Sequence, residues 1–436
     1  MSRRDKVFIM ILGVVVFLSI AGYPAGLTDI KVVDLFTGEP VRDARMTLNN
    51  DLVLNGQQGT FPTANGGMKL RVKAYGYRRV EQAIATHLLP TLHPIKLTPF
   101  TPKALYLSFY GIGERSLRES ALKLIRETEL NALVIDIKGD RGWIPYKSSI
   151  PLAAEVGAQR IITVKDISGL MKSLKEKGVY TIARIVVFKD NPLARAKPDL
   201  AVKTESGEIW RDRENLAWVD PFKKEVWDYN IQIAVEAAQY GFDEIQFDYA
   251  RFPDTHAPRF SLPNTEANRV EAIAGFLREA KQRLMPYNVF VAADIFGYVC
   301  WNLNDTCIGQ RLDILLPHLD YLSPMLYPSG FQYGIPGYRI PVENPYEIVY
   351  LSLKRAQERT NLPSFRFRPW LQAFRDYGFD RRSFNGREIR EQIDAAGKFG
   401  SQGWMLWNPG NNYSSEGLKT KEPSTWITGL APHPKT

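Results

Sequence analysis

The sequence predicts a (β/α)8 barrel of the TIM type preceded by a small all-β sandwich. Three observations point there. From Lys103 onward eight strand-like runs alternate with amphipathic helical segments over roughly 300 residues. Between residues 28 and 98 short strand-like runs are separated by turn clusters, and no convincing helix lies among them. No glycine-rich phosphate loop follows the first strand of the alternating part, which counts against the runner-up, an open doubly wound sheet.

Residues 1–26, "MSRRDKVFIMILGVVVFLSIAGYPAG", join a basic start (Arg3, Arg4, Lys6) to an apolar run from Val7 to Ala21 and then to small residues. That is the pattern of an export signal. The run is shorter than the roughly 20 residues that span a bilayer comfortably. Cleavage after Ala21 is expected, with an uncleaved anchor as the alternative and the only expected link to a membrane. The rest of the chain is then exported: periplasmic, extracellular or anchored by its N terminus.

In the 28–98 segment the strand-like runs are "IKVVDLF", "ARMTLNN", "MKLRVKAYGY" and "HPIKLTPF". The order "VVDLFTGEPVRDARMTL", "GTF", "LRVKAYGYRR" resembles the transthyretin-like or carboxypeptidase-regulatory-like β domains of many exported proteins. That resemblance implies a structural or interaction module.

The barrel is expected over 103–420, with a C-terminal tail at 421–436. Its strands are read at 104–111, 132–140, 180–188, 244–252, 289–297, 321–328, 368–374 and 403–410. Helices are read at Leu117–Leu130, Ile167–Lys177, Pro221–Tyr240, Glu266–Leu284, Pro345–Thr360 and Gly386–Phe399, from apolar spacings of three and four. Asp220 before Pro221 reads as an N-cap and first turn, and Gly241 as a helix stop.

Composition narrows the chemistry. The 436 residues carry a formal charge of +9 with Lys and Arg scattered, so no phosphate-tracking run appears and nucleic acid is not an expected partner. Five His show no ligand spacing, so neither a metal site nor a cofactor is expected. Two Cys, Cys300 and Cys307 in "YVCWNLNDTCIGQ", suggest a loop-stapling disulfide in an exported chain, two reduced thiols being the other reading.

Active sites of this barrel type lie at the C-terminal strand ends. The inward parity there offers Asp136 and Lys138 on the second strand, Arg184 on the third, and Glu244, Gln246 and Asp248 on the fourth, with Arg251 beyond. The fifth offers Asp294, the sixth Ser323 and Tyr327, the seventh Gln372, and the eighth Asn408 after Trp407. A purely structural core is not built with so many polar strand ends. Hydrolysis of a glycosidic bond needs two carboxyl groups, one protonated and one ionised. Asp248 and Asp294 end adjacent strands. Cationic neighbours (Arg184, Arg251, Lys138) make Asp248 the charged partner, and the apolar setting of Asp294 suits a proton donor. The rivals are an ion-paired structural Asp248, a loop-capping Asp294, and Asp136 as the second carboxylate. Glu244 reads as a satisfied interior acid. Asp136, Lys138, Arg184, Arg251, Trp301, Tyr327, Gln372, Trp407 and Asn408 are the expected substrate contacts, the Trp rings offering faces on which sugars stack.

"GFDEIQFDYARFPD", "WVDP", "AADIFGY" and "YLSPMLYPS" resemble a bacterial glycoside-hydrolase domain family first filed under unknown function, over essentially all of 103–420. The resemblance implies a barrel distantly similar to α-amylase-like and α-galactosidase-like glycosidases. It implies a nucleophile at Asp248 and an acid/base on the fifth or sixth strand. Asp294 fits the former, although it is Asp where amylase-like enzymes have Glu, and the sixth strand has Tyr327 and no carboxylate. The expectation is an exported glycoside hydrolase acting on a cell-envelope or extracellular polysaccharide. Its alternatives are a non-catalytic carbohydrate-binding or scaffold protein, and a hydrolase or lyase with Lys138 as base or Schiff-base former.

Overall fold

The computed structural model describes residues 31–48, 67–85, 94–255 and 257–421, together with strand pairing at Thr28–Asp29, Leu52–Asn55 and Thr60–Phe61. The expected export signal and the tail from residue 422 lie outside the described residues.

Eight parallel strands close into a barrel in chain order: Lys103–Leu107, Ala132–Lys138, Tyr180–Val186, Glu244–Asp248, Phe290–Phe296, Tyr321–Met325, Trp370–Gln372 and Trp404–Trp407. The eighth pairs with the first through Met405↔Ala104, which closes the ring. Every residue of the second, third and fourth strands is buried. Their outward parity (Leu133, Ile135, Ala183, Ile185, Ile245, Phe247) belongs to one apolar cluster with the surrounding helices. Their inward parity (Val134, Ile182) shares a second cluster inside the barrel with Tyr106, Tyr321 and Trp370. Strands covered on both faces lose water from both parities, so inward polar groups need partners within the lumen.

The helices Glu266–Leu284, Pro345–Thr360 and Gly386–Phe399 have the bounds read from the sequence, and Arg115–Glu127 and Ile167–Glu176 lie close to them. The helix that leads into the fourth strand begins at Lys224 rather than Pro221. Asp220 does not cap it: its carboxylate accepts from the amides of Phe222 (2.9 Å) and Ser261 (2.7 Å), which ties two loops together. Gly241 ends that helix at φ 92°, a conformation open to glycine without cost.

The N-terminal segment forms a four-stranded antiparallel sheet (Leu52–Asn55, Arg45–Leu48, Gly67–Lys73, Val80–Ala85) and the pair Val32–Asp34 with Ile95–Leu97. Val32, Met46, Leu70, Val72 and Leu97 are its core. This module sits against the N-terminal ends of the barrel strands. Lys73 donates to Asp320 (2.8 Å) just before the sixth strand, and Tyr75 meets Tyr321 edge to face at 5.8 Å. Arg78 donates to the Gly178 carbonyl (2.7 Å) before the third strand.

Candidate active site

The lumen is built in levels. Deepest lies Glu244, ion-paired with Arg368 and accepting from Tyr180 Oη at 3.0 Å. It lies in the interior as expected but is only partly satisfied, because its Oε1 has no partner among the described residues. Above it Gln246 donates to Ser323 Oγ at 3.1 Å. The top level carries the carboxylates.

Arg184 organises that level. Its Nε and Nη2 donate to Asp248 Oδ2 (2.9 and 2.5 Å), Nη1 donates to Asp136 Oδ1 (2.7 Å), and Nη2 also reaches Asp140 Oδ1 (2.8 Å). Its guanidinium lies 4.8 Å from the Trp407 ring centre, and Trp407 stacks on Tyr106 at 3.9 Å. The register produces this grouping, because Arg184 is level with Asp136 on one side and Gln246 on the other. A guanidinium is rigid and forked, so one residue can fix three carboxylates.

Asp248 is the last residue of its strand. Its Oδ1 accepts from the Tyr249 amide at 2.6 Å, and Tyr249 itself stands at φ 50°. A left-handed bulky residue is strained, and such strain collects at functional turns. Tyr249 still packs against the outer apolar cluster, where it meets Trp218 with ring centres 5.6 Å apart.

Asp294 comes level with Asp248, because Phe247 pairs with Ala293 one residue earlier. Its Oδ1 accepts from Trp370 Nε1 at 2.7 Å, while Oδ2 is buried with no hydrogen-bond partner among the described residues. Burial, reinforced by the Asp248 charge, holds the Asp294 carboxyl well above the usual carboxylate range. Asp136, accepting from Tyr106 Oη (2.7 Å) and the Phe109 amide (3.1 Å), is pushed up by burial to about 6. Burial also raises Tyr327, with the negative charges of Asp294 and Asp248 adding to it.

Four expected substrate contacts lie elsewhere. Lys138 is wholly buried in an ion pair with Asp190 (2.6 Å) beside the Tyr229 ring, on the outside of the barrel. The reason is a bulge: Asp136 pairs with Arg184, but Lys138 pairs with the very next residue, Ile185, so the side chain changes faces. Gln372 has its amide committed to Ser329 (3.0 and 2.7 Å) and the Phe374 carbonyl (3.1 Å). Asn408 is consumed by the turn after the eighth strand, through the carbonyls of Ala373 and Asn412 and the Gly410 amide. Trp301 turns its indole N–H to Ser352 Oγ (2.9 Å) on the helix Pro345–Thr360 and packs on the outer core. The disulfide is not formed either. Cys300 is packed in the core, its thiol pushed up to about 12 by burial, whereas Cys307 is exposed on a left-handed turn at φ 57°.

Three contributors escaped the sequence reading: Tyr106, Trp370 and Asp140. Trp370 stands two residues before Gln372 on the same parity, a signal that was available. Asp140 follows Gly139 in the loop after the second strand, and its side chain is 38% exposed. No group of three or more His, Cys, Asp or Glu among the described residues is arranged to hold a metal ion.

Three cavities ring the mouth. One of about 180 Å³ is lined by Asp136, Asp140, Tyr106, Trp143 and Trp407. Another of about 430 Å³ is lined by Tyr327, Phe296, Tyr298, Tyr333 and Tyr377. The third, about 380 Å³, lies between Trp210, Trp218, Tyr249 and Arg251. Paired acids, a fixed guanidinium and aromatic walls are the parts of a site that binds and cleaves sugars.

Residues 104–413, well over half of the chain, match the model of a family described as "Putative glycosyl hydrolase domain". No match was found among curated proteins. Among solved structures, a hypothetical protein from Ruminiclostridium thermocellum is 40% identical over 44% of this chain and 96% of its own, with a TM-score of 0.39. The PgaB (BpsB) glycoside hydrolase domain from Bordetella bronchiseptica is 14% identical over 72% of this chain and 95% of its own, with a TM-score of 0.53. Alpha-L-fucosidase isoenzyme 2 from Paenibacillus thiaminolyticus is 16% identical over 72% of this chain and 47% of its own, with a TM-score of 0.50. The last two share the barrel fold.

Proposed function

The chain belongs to the glycosyl hydrolase family whose model it matches, and from that premise we propose that it cleaves a polysaccharide by a two-carboxylate mechanism with Asp248 as nucleophile and Asp294 as proton donor. The observation that carries this reading is the contrast between two level carboxyl groups on adjacent strands. Asp248 is matched to the Arg184 guanidinium, while Asp294 is buried, raised and left with a bare Oδ2. Separated environments of this kind divide one pair of carboxyls into an ionised and a protonated member. Trp407, Trp143 and Tyr327 supply faces for sugar rings around them. A cell-envelope or extracellular polysaccharide is the proposed substrate, reached by export through the N-terminal segment, with the β module positioning the barrel.

A second reading assigns the proton to Asp136, raised to about 6 and lining a cavity with Trp143 and Trp407. One experiment separates the two. Wild type, Asp248→Asn, Asp294→Asn and Asp136→Asn are assayed on a glycan panel and on dinitrophenyl glycosides, whose leaving group needs no proton. Loss of the proton donor lowers turnover of ordinary glycosides by about 10²–10⁴-fold but spares the activated ones. That pattern is expected for Asp294→Asn. If it follows Asp136→Asn instead, the second reading holds. Equal glycan binding by wild type and Asp248→Asn, with no turnover by either, would favour a carbohydrate-binding scaffold.

A further inference from the structure

The cavity of about 380 Å³ beside the candidate nucleophile is lined by Arg251, a cation that no carboxylate among the described residues neutralises. Arg251 is 8% exposed and lies three residues beyond Asp248. Its guanidinium sits among three rings, 4.5 Å from the centre of Phe296, 4.9 Å from Tyr249 and 5.1 Å from Trp218. One N–H donates to the Phe252 carbonyl at 2.9 Å. No carboxylate among the described residues stands within ion-pair distance of it.

Every other buried cation at this end of the barrel is matched. Arg184 holds three carboxylates, Lys138 holds Asp190, and Lys189 meets Asp212 (3.4 Å) and Glu214 (3.0 Å) in the wall of this same cavity. The acids of the wall are therefore spoken for, except Asp254 on the exposed rim. Arg211 and Arg213 add positive charge at the rim. Arg211 donates to Asn191 Oδ1 and the Asn215 carbonyl, and no carboxylate pairs with either arginine among the described residues. A nearly buried guanidinium normally requires an anion. Aromatic faces fix its plane and leave its edge to a forked acceptor.

We propose that this cavity is a subsite for an acidic sugar, in which Arg251 receives the carboxylate of a uronic acid unit while Trp218 and Trp210 flank the ring. This deepens the glycosidase reading and rests on it for the placement of Asp248 next door.

The test is calorimetric titration of the full chain carrying Asp248→Asn, which prevents turnover. The probes are tetrasaccharides of galacturonate, glucuronate and mannuronate, each beside its carboxyl-reduced neutral counterpart. At least one uronate is expected to bind tenfold or more tightly than its reduced form. Arg251→Gln should abolish that preference and Arg251→Lys restore part of it, while the rim variant Arg213→Gln should weaken binding a few-fold and flatten its salt dependence. Equal binding of acidic and reduced probes, a preference that survives Arg251→Gln, or no binding of any uronate overturns the proposal. Hydrolysis of neutral glycans by the wild type, with no uronate bound, would refute the subsite and leave the hydrolase standing. Uronates held through Arg251, with no glycan ever cleaved, would do the reverse.

Discussion

Asp248 and Asp294 are the same side chain at the same level of neighbouring strands, and what differs is what each can see. Asp248 sees a guanidinium and a backbone amide. Asp294 sees an indole N–H, an apolar wall and the charge of Asp248. The raised Asp294 stays protonated above the usual carboxylate range, so kcat/KM should fall as pH rises through its elevated value, and that alkaline limb should vanish in Asp294→Asn. Stability follows the same sign. A carboxyl raised in the folded state favours folding at low pH, and its contribution declines as pH climbs from about 4, the unfolded value, through the raised one. Urea midpoints measured across that window should therefore slope downward more steeply in the wild type than in Asp294→Asn; parallel slopes would contradict it. Strand parity made both residues and Arg184 legible in the sequence, because alternate side chains of a barrel strand must face the lumen. Asp140 closes the second strand as read from the sequence, on the parity of Asp136, but it was not singled out; the strand ends at Lys138 and Asp140 reaches Arg184 from the loop beyond it.

At the scale of the element, all eight strands were readable because a doubly covered strand is a nearly continuous apolar run bounded by helix signals. Their C-terminal ends were read too long. In "FDYARF" the apolar pattern continues, yet the ladder stops where Tyr249 turns left-handed. The second strand fails for another reason. Its bulge at Ile137 gives no signal in composition, and Lys138 just beyond it is assigned to the wrong face. Lys138 is consequently half of a buried structural pair. Removing one member of such a pair leaves the other charged and unmatched, at about 3–5 kcal/mol. Lys138→Met is expected to lower unfolding free energy by that amount, and the double variant Lys138→Met/Asp190→Asn to recover most of it, as read from denaturant melts. A Schiff-base lysine would behave differently: borohydride would trap substrate on Lys138, and the double variant would regain stability without any activity.

For the whole molecule the informative contact joins two parts of the sequence that no local pattern connects. Lys73 of the β module reaches Asp320 across 247 positions, and Arg45 (3.7 Å), Lys281 (3.9 Å) and Tyr75 (3.3 Å) converge on the same carboxylate. In the sequence Asp320 is one more polar residue before a strand, and only the docked fold gives it three cations. Those cations hold its carboxyl down to about 2 despite complete burial. The sign is opposite to that of Asp294. A depressed carboxyl stabilises the docked state fully above about 4 and loses that contribution as pH falls toward its folded value. Acid should therefore loosen the module from the barrel before the barrel itself opens, giving early protease cleavage between the two near residue 100. Asp320→Asn should show the same cleavage already at neutral pH and little further change on acidification. Because Asp320 lies at the end of the barrel away from Asp248 and Asp294, kcat/KM of the folded variant should match the wild type. A loss of activity in step with undocking would instead mean that the β module helps to shape the mouth from the far side.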